Sequence, residues 1–523
     1  MQRNERITRR KLLKSAAISA LSLGLGLRTS AASRGNAAGH NLRTNVVLFV
    51  TDQERKIQYF PPGWEEQNLP GLTRLKRHGL SFDNAFTNAC MCSPARSTWM
   101  TGYFPAQHGV KYTLEEDMPN NQYPQVELPL GLKNIATVMS AAGYTVVYKG
   151  KWHCSKPAGD QWVPSDVGKY GFQRWDPQDA GANQDIEQAG GGNPNNDGRF
   201  MNDNGDWQAG EEGALAYLTS QAAAQQPFFM IISLVNPHDV LFYPNTYQDA
   251  GYDDSWLAGN IDIPATVSED LSTKPTVQRQ FLLLSQALGP LLTPAMKRNY
   301  LNFYGNLMKS SDNYLVEILD ALEAQHLLEN TLIIRTADHG EMGLTHGGQR
   351  QKNFNFYEEA IRVPLIYSNP KLYRGPRKSD ALVSHVDFLP TIASLFGAPA
   401  AARANWQGID YSNLVLNPSA QPIQDYTVFT YDDYQSGQKS GPYPTPPNHI
   451  VSIREERYKL AEYYDANGVV PSQWEMYDLK KDPFETENLA YRLEERSKKE
   501  KEQFERLRLK LRAVQATRLQ PLS

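Results

Sequence analysis

The chain has 523 residues and a net charge of −4, with 40% hydrophobic and 21% charged residues, a balance that supports a large buried core and excludes a low-complexity or disordered chain. Three cysteines exclude a disulfide scaffold, and no run of 18 apolar residues exists to cross a membrane as a helix, so stable membrane insertion is not expected. Residues 1–38 hold eight Lys and Arg against a single acid, Glu5, which leaves −11 on the remainder and makes nucleic acid a poor partner.

In chain order, Thr8-Arg9-Arg10-Lys11-Leu12-Leu13-Lys14 leads into a mild apolar run, Ser15 to Leu27. Small residues follow, with candidate cleavage points at Ser30-Ala31-Ala32 and Asn36-Ala37-Ala38. A charged head, a short apolar middle and a small-residue exit predict an export signal over 1–38. The paired arginines resemble the twin-arginine type, which carries folded proteins and implies a periplasmic or secreted product and the twin-arginine machinery as a partner. A basic arm ahead of a surface helix is the alternative.

Asn45 to Val50 (NVVLFV) is continuously apolar and rich in β-branched residues, the pattern of a strand buried on both faces, and it ends at Thr51-Asp52-Gln53. Cys92-Ser93-Pro94-Ala95-Arg96 is followed by Thr101-Gly102. Proline favours a first helical turn, so a helix is expected near Pro94 with Arg96 one turn beyond Cys92. A lone cysteine there reads as a buried thiol. The stretch from Gly143-Tyr144 to Gly150-Lys151-Trp152-His153 reads by itself as a loop with a routine cation and a capping histidine.

Residues 178–213 are crowded with Gly, Asn and Asp and nearly free of aliphatics, which suggests a rim or lid, where substrate choice is expected, or else an ordinary flexible insertion. Phe228 to Val235 is a second apolar strand ending at Asn236-Pro237-His238. Met308 to Ala324 predicts a helix with Leu315, Ile318, Leu319 and Leu322 on one face. Thr331 to Thr336 is a third strand, ending at Ala337-Asp338-His339-Gly340. Alternating buried strands and helices predict a doubly wound α/β sheet with its site beyond the strands' carboxyl ends. Asp52 and Asp338, 286 residues apart, then become neighbours, either as metal ligands or as helix N-caps.

The character changes near Ala400. Short strands near His449 to Ile453 and Arg457 to Tyr463 suggest a smaller antiparallel subdomain, and Leu493 to Ala513 a terminal helix packed on one side through Leu507, Leu509 and Leu511. The expected division is 39–400 for the main domain and 401–523 for the C-terminal subdomain.

Cys92-x-Pro94-x-Arg96 with Thr101-Gly102 resembles the signature of the formylglycine-dependent type I sulfatases of the alkaline phosphatase superfamily. Gly150-Lys151-Trp152-His153 is similar to their second signature, although Lys149 stands where a small or apolar residue is usual. Lys352-x4-Tyr357-Glu358-Glu359-x2-Arg362-Val363-Pro364 resembles the segment that brings a second lysine to the sulfate. The resemblance runs from Asn45 to the region of Tyr477-Asp478-Leu479. It implies an α/β fold with a large doubly wound mixed sheet flanked by helices and a small C-terminal antiparallel sheet.

It further implies that Cys92 is oxidised to formylglycine by a formylglycine-generating enzyme, and that a sulfate ester is the substrate. One divalent metal would be held by Asp52, Gln53, Asp338, His339 and the modified Cys92. Gln53 departs from the usual second aspartate; calcium, which takes oxygen ligands flexibly, comes first, with manganese or magnesium as alternatives. Arg96 would brace the nucleophile or the anion, Lys151 would neutralise a sulfuryl oxygen, and His153 would hold or protonate part of the hydrate. His238 would donate to the sulfate or the leaving oxygen, and Lys352 would act as acid directly or through His238.

His346 is expected near the pocket without a direct role, His108 and His385 as structural, and Cys90 and Cys154 as buried thiols with a disulfide as the alternative. Two other readings stand beside sulfate hydrolysis: a phosphonate monoester or phosphodiester hydrolase on the same machinery, and a non-catalytic anion-binding relative.

Overall fold

The structure, a computed structural model, describes residues 42–522 apart from 57–58, 117, 119–124, 183–184 and 439; the export signal expected over 1–38 lies outside the described residues. The larger of two sheets runs in the order β3 (Thr145–Gly150), β4 (Phe228–Ser233), β1 (Asn45–Thr51), β5 (Thr331–Ala337), β6 (Leu365–Ser368), β2 (Gly79–Phe86) and β7 (Arg377–Ser384). β1 lies parallel between β4 and β5, with Val50 opposite both Ser233 and Thr336. Only β6 runs against its neighbours β5 and β2, so the other six strands all end on one edge.

Both faces of this sheet are buried, which is why its central strands read as unbroken apolar runs. Val46, Leu48 and Val50 join one core with Phe229 and Ile231. Val47 and Phe49 join the other with Met230, Ile232 and the long helix Pro294–Ala324. Leu315, Ile318, Leu319 and Leu322 face that core as expected. The helix starts fourteen residues before the expected Met308, capped by Thr293 with Pro294 in its first turn. Its first half buries Tyr300, Phe303 and Tyr304 among asparagines, a stripe without the aliphatic periodicity that marks the second half.

The smaller sheet is antiparallel throughout, in the order β11 (Gln473–Asp478), β10 (Tyr458–Tyr464), β9 (His449–Glu455), β8 (Tyr426–Tyr431). Phe429, Tyr431, Tyr463 and Tyr477 pack on Phe86, Phe354 and Tyr357 of the main body. Val428, Ile453, Leu460 and Met476 lie under Phe504, Leu507, Leu511 and Val514 of the terminal helix Lys498–Arg518. Leu509, expected on that packed side, is 64% exposed.

The segment 178–213 is more ordered than its composition suggested, with a 3-10 turn at Ile186–Gln188 and a helix at Asn196–Asn202. Its glycines serve close approach rather than flexibility: a Cβ on Gly192 would fall 1.8 Å from the Ala250 carbonyl oxygen, and one on Gly191 2.7 Å from Asn236 Nδ2. No helix among the described residues is long and apolar enough to cross a membrane.

Candidate active site

Five adjoining chain segments deliver polar groups to the edge where the strands end. Asp52 and Gln53 follow β1, Asp338 and His339 follow β5, and Lys151 and His153 follow β3. His238 lies a short turn beyond β4, and Cys92 opens the helix Cys92–Thr101 after β2. Pro94 sits at the third position of that helix, and Gly102 ends it in the left-handed region at φ 71°, so the Thr-Gly pair is its C-terminal cap. Gly150 turns β3 into Lys151 at φ 100°, where a Cβ would lie 2.0 Å from the Ser233 carbonyl oxygen. Gly150→Ala is expected to lower the unfolding free energy by at least the roughly 1–3 kcal/mol of a core overpacking, measured by denaturant titration.

Asp52, Cys92, Asp338 and His339 converge, one ligand atom from each lying within 4.8 Å of the others, all buried. Neither carboxylate caps a helix, since the chain continues from both as loop. His339 Nδ1 faces the Gly340 carbonyl at 3.1 Å, which assigns its proton there and leaves Nε2 facing Cys92 Sγ at 3.3 Å. Arg96 lies behind the cluster, fully buried. Its Nη2 donates to Asp52 at 3.0 Å, its Nε to Asp338 at 3.1 Å, and its Nη1 to Ser233 Oγ at 2.7 Å. Arg96 therefore braces the two carboxylates and does not line the cleft.

Lys151 pairs with Asp52 at 2.7 Å. His153 Nε2 is 2.5 Å from the Leu114 carbonyl, which gives that nitrogen the proton, while its buried Nδ1 has no hydrogen-bond partner among the described residues. Lys352 Nζ donates to Gln53 Oε1 at 2.6 Å. Lys149, the residue out of pattern, pairs with Glu212 instead and leaves the site untouched.

Electrostatics sharpen these roles. Burial and the Asp52 carboxylate push the Cys92 thiol up, but Lys151, Lys352 and His339 override them and hold it well below the usual thiol range. Asp52 is held low against burial by Lys151, His238, Arg96 and His339, whereas burial and Asp52 push Asp338 up. Burial, then Lys151, brings His238 down to about 4, so it is a neutral imidazole at pH 7.

A cleft of about 230 Å³ opens onto Cys92, His153, His238 and Lys352. Its wall is apolar at Leu241, Phe281, Leu284 and Leu288 and polar at Asn353, Ser436 and Gln438. Among the described residues, the segment 178–213 contributes Gly181 and Ala182 to this lining, and most of the described wall comes from parts of the chain for which the sequence suggested no such role.

All ten residues singled out in the sequence thus lie together. His346 does not line the cleft: it pairs with Glu269 at 2.8 Å and stacks on Tyr357 at 3.6 Å. His108 bonds Thr98 at 3.1 Å, and all three cysteines are free and buried. Several supporting carboxylates were not foreseen. Asp179 accepts from the backbone N–H groups of Trp152 and His153 at 2.7 Å each, and Asp197 from those of Val235 and Asn236 at 2.7 and 3.0 Å. Such residues carry no motif; their signal was only that acids recur in a glycine-rich segment.

The Sulfatase family model matches residues 44–398, and the model of the N-sulphoglucosamine sulphohydrolase C-terminal region matches 347–516. The chain is 26% identical over 431 residues to a Delta 4,5-hexuronate-2-O-sulfatase of Bacteroides thetaiotaomicron, covering 80% of this chain and 79% of that one. Its fold is similar to that of a 2-O GAG sulfatase, with TM-score 0.65, 20% identity and coverage of 91% and 92%. It is also similar to that of a phosphonate monoester hydrolase of Agrobacterium radiobacter, with TM-score 0.60, 20% identity and coverage of 90% and 96%. With one family model spanning most of the chain and a second its C-terminal part, the chain belongs to the sulfatase family and is a sulfuric ester hydrolase.

Proposed function

We propose that the chain is an exported sulfatase that cleaves sulfate monoesters through a formylglycine made from Cys92, beside one divalent cation held by Asp52, Gln53, Asp338, His339 and the modified Cys92. The observation that carries this reading is the position of Cys92, at once within the buried ring of ligand atoms and on the floor of the cleft. The donor set fits a cation. Two buried carboxylates, an imidazole nitrogen and the Cys92 side chain converge within one ring of ligand atoms. Cys92 Sγ stands where an oxygen of the modified side chain would lie.

When present, the aldehyde hydrate supplies one hydroxyl for attack on sulfur and a second for expelling sulfate, and the cation lowers the hydroxyl pKa and polarises the sulfuryl oxygens. Lys151 holds Asp52 and adds positive charge where those oxygens sit. His153 offers the Nδ1 lone pair to a hydroxyl proton. Neutral His238 donates an N–H to the sulfuryl or leaving oxygen, and Lys352 stands as the proton donor for the leaving alcohol. Arg96 acts through the carboxylates that it holds. Calcium leads for the metal, with manganese or magnesium as alternatives that elemental analysis of protein matured in its own host decides.

The decisive experiment is the mass of the tryptic peptide His78 to Arg96 together with sulfate release from 4-nitrophenyl sulfate. An aldehyde at Cys92 with turnover supports the proposal; an intact thiol in an active protein overturns the nucleophile. Phe281→Ala, which trims the apolar wall, is expected to raise KM for an aryl sulfate by about tenfold, the scale of a lost aromatic contact, with kcat changed less. Steady-state kinetics measure that split.

A phosphonate monoester or phosphodiester hydrolase is the second reading. It is favoured by neutral Gln53 in place of an acid and by the fold shared with the phosphonate monoester hydrolase; these esters and a sulfate monoester each carry one negative charge, so Lys151 and Lys352 would serve either. Turnover of an aryl sulfate against an aryl phosphodiester with the same leaving group separates the two. The proposal also includes twin-arginine export directed by residues 1–38 after cytoplasmic oxidation of Cys92, and a division into 39–400 and 401–523. Replacing Arg9 and Arg10 by lysine would then retain mature protein inside the cell.

A further inference from the structure

Gln53 is the one amide in the proposed ligand set, and an amide can turn either its oxygen or its NH2 toward a cation, with opposite consequences. Its backbone is pinned. The amide N–H donates to Asp338 Oδ1 at 3.0 Å, the carbonyl accepts from Tyr304 at 2.8 Å, and φ is +64°. What remains free is the terminal flip of the side chain.

We propose that Glu341 is the positioning residue that fixes this flip, so that Gln53 Oε1 faces the Asp52–Asp338 cluster and Lys352. The proposal rests on the reading that this cluster holds a divalent cation. Glu341 is fully buried, three residues beyond Asp338. Its Oε2 accepts from Gln53 Nε2 at 2.6 Å. Its Oε1 accepts from Tyr300 Oη at 2.7 Å and from the backbone N–H groups of Gln351 at 3.0 Å and Gly343 at 3.1 Å. A carboxylate can only accept, so Gln53 must turn its NH2 toward Glu341. Its oxygen then meets Lys352 Nζ at 2.6 Å and keeps a second lone pair for a cation.

The three donors on Glu341 Oε1 make the arrangement directional. In Glu341→Gln, those donors would claim the new amide's oxygen and leave its NH2 facing Gln53. Gln53 would then turn its own oxygen toward that NH2, and its own NH2 toward Lys352 and the cation. Gln53→Glu fails differently, because it sets two buried carboxylates 2.6 Å apart. The swap Gln53→Glu with Glu341→Gln repairs both faults. The introduced amide's oxygen satisfies the three donors, its NH2 meets the new carboxylate, and a carboxylate oxygen faces Lys352 and the cation.

The test is calcium and manganese affinity of the metal-stripped mature chain, by competition with a chromophoric chelator, with melting curves to establish folding. Glu341→Gln is expected to weaken binding about 10- to 100-fold, the usual cost of losing a partner one bond behind a ligand. The swap is expected to return within a few-fold of wild type. Glu341→Gln binding within twofold of wild type would overturn the proposal, as would a folded swap variant that binds no better than Glu341→Gln. If Glu341→Gln does not fold, the swap alone decides. A wild-type chain that binds neither cation sinks the cation reading itself, a different result from a wild type that binds while the swap does not.

Discussion

Cys92→Ala is expected to lower kcat/KM for sulfate ester hydrolysis by at least about 10⁴-fold while leaving the fold intact. Loss of the nucleophile of a hydrolase costs up to about 10⁶-fold, and residual turnover reflects binding and charge stabilisation alone. The fold is spared for reasons visible around the residue. Cys92 is the first residue of its helix, its N-cap is Met91 with no side-chain cap bond, and the partners of Sγ, Asp52 at 3.7 Å, His339 at 3.3 Å and His238, all belong to the candidate site, so no bond that holds the helix or the sheet disappears with the sulfur. The buried Lys151 and Arg96, which hold the neighbouring carboxylates, are unchanged. Sulfate release measured beside a thermal melt checks both halves. Retention of more than a few per cent of wild-type turnover would mean that water, not this side chain, attacks sulfur.

How far the sequence revealed this site follows from which forces act locally. The strands β1, β4 and β5 are buried on both faces, so burial itself wrote them as uninterrupted apolar runs, and the polar residue that ended each run marked the edge of the candidate site. The Cys92 to Gly102 stretch was legible because it is a helix from first turn to left-handed cap, all within eleven residues. What bore no local mark was the support from far along the chain. Asp179 and Asp197 hold the turns after β3 and β4 from a segment whose glycines looked like slack, because close backbone approach and flexibility share one composition. Glu341 is three residues from Asp338, a proposed ligand, but its meaning depends on Gln53, which only the parallel pairing of β1 and β5 brings to it. The apolar wall of the cleft comes from Leu241, Phe281, Leu284 and Leu288, and nothing in their spacing distinguishes a substrate wall from core.

Arg96→Met is expected to destabilise the cation-free protein by about 3–5 kcal/mol, the scale on which removing one partner of a buried ion pair leaves the other charge uncompensated. Here the loss falls on two partners at once. Asp52 and Asp338 both lean on the guanidinium, through Nη2 and Nε, and neither is solvent-accessible. Methionine fills much of the volume but supplies no donor, and the Lys151 carbonyl and Ser233 Oγ lose their Nη1 contacts as well. Lysine retains the charge but not the fork that serves two carboxylates, so Arg96→Lys should fall between wild type and Arg96→Met. A divalent cation in the proposed site would neutralise the same two carboxylates. With the guanidinium gone, less fixed positive charge competes for them, so metal should bind Arg96→Met more tightly and raise its melting temperature by more than that of wild type. Activity of the variant should follow its metal occupancy, because Arg96 touches the carboxylates and not the cleft. Calorimetry across a metal titration measures both terms. An equal metal-induced shift in the two proteins would separate Arg96 from the cation site and reduce it to a packing residue.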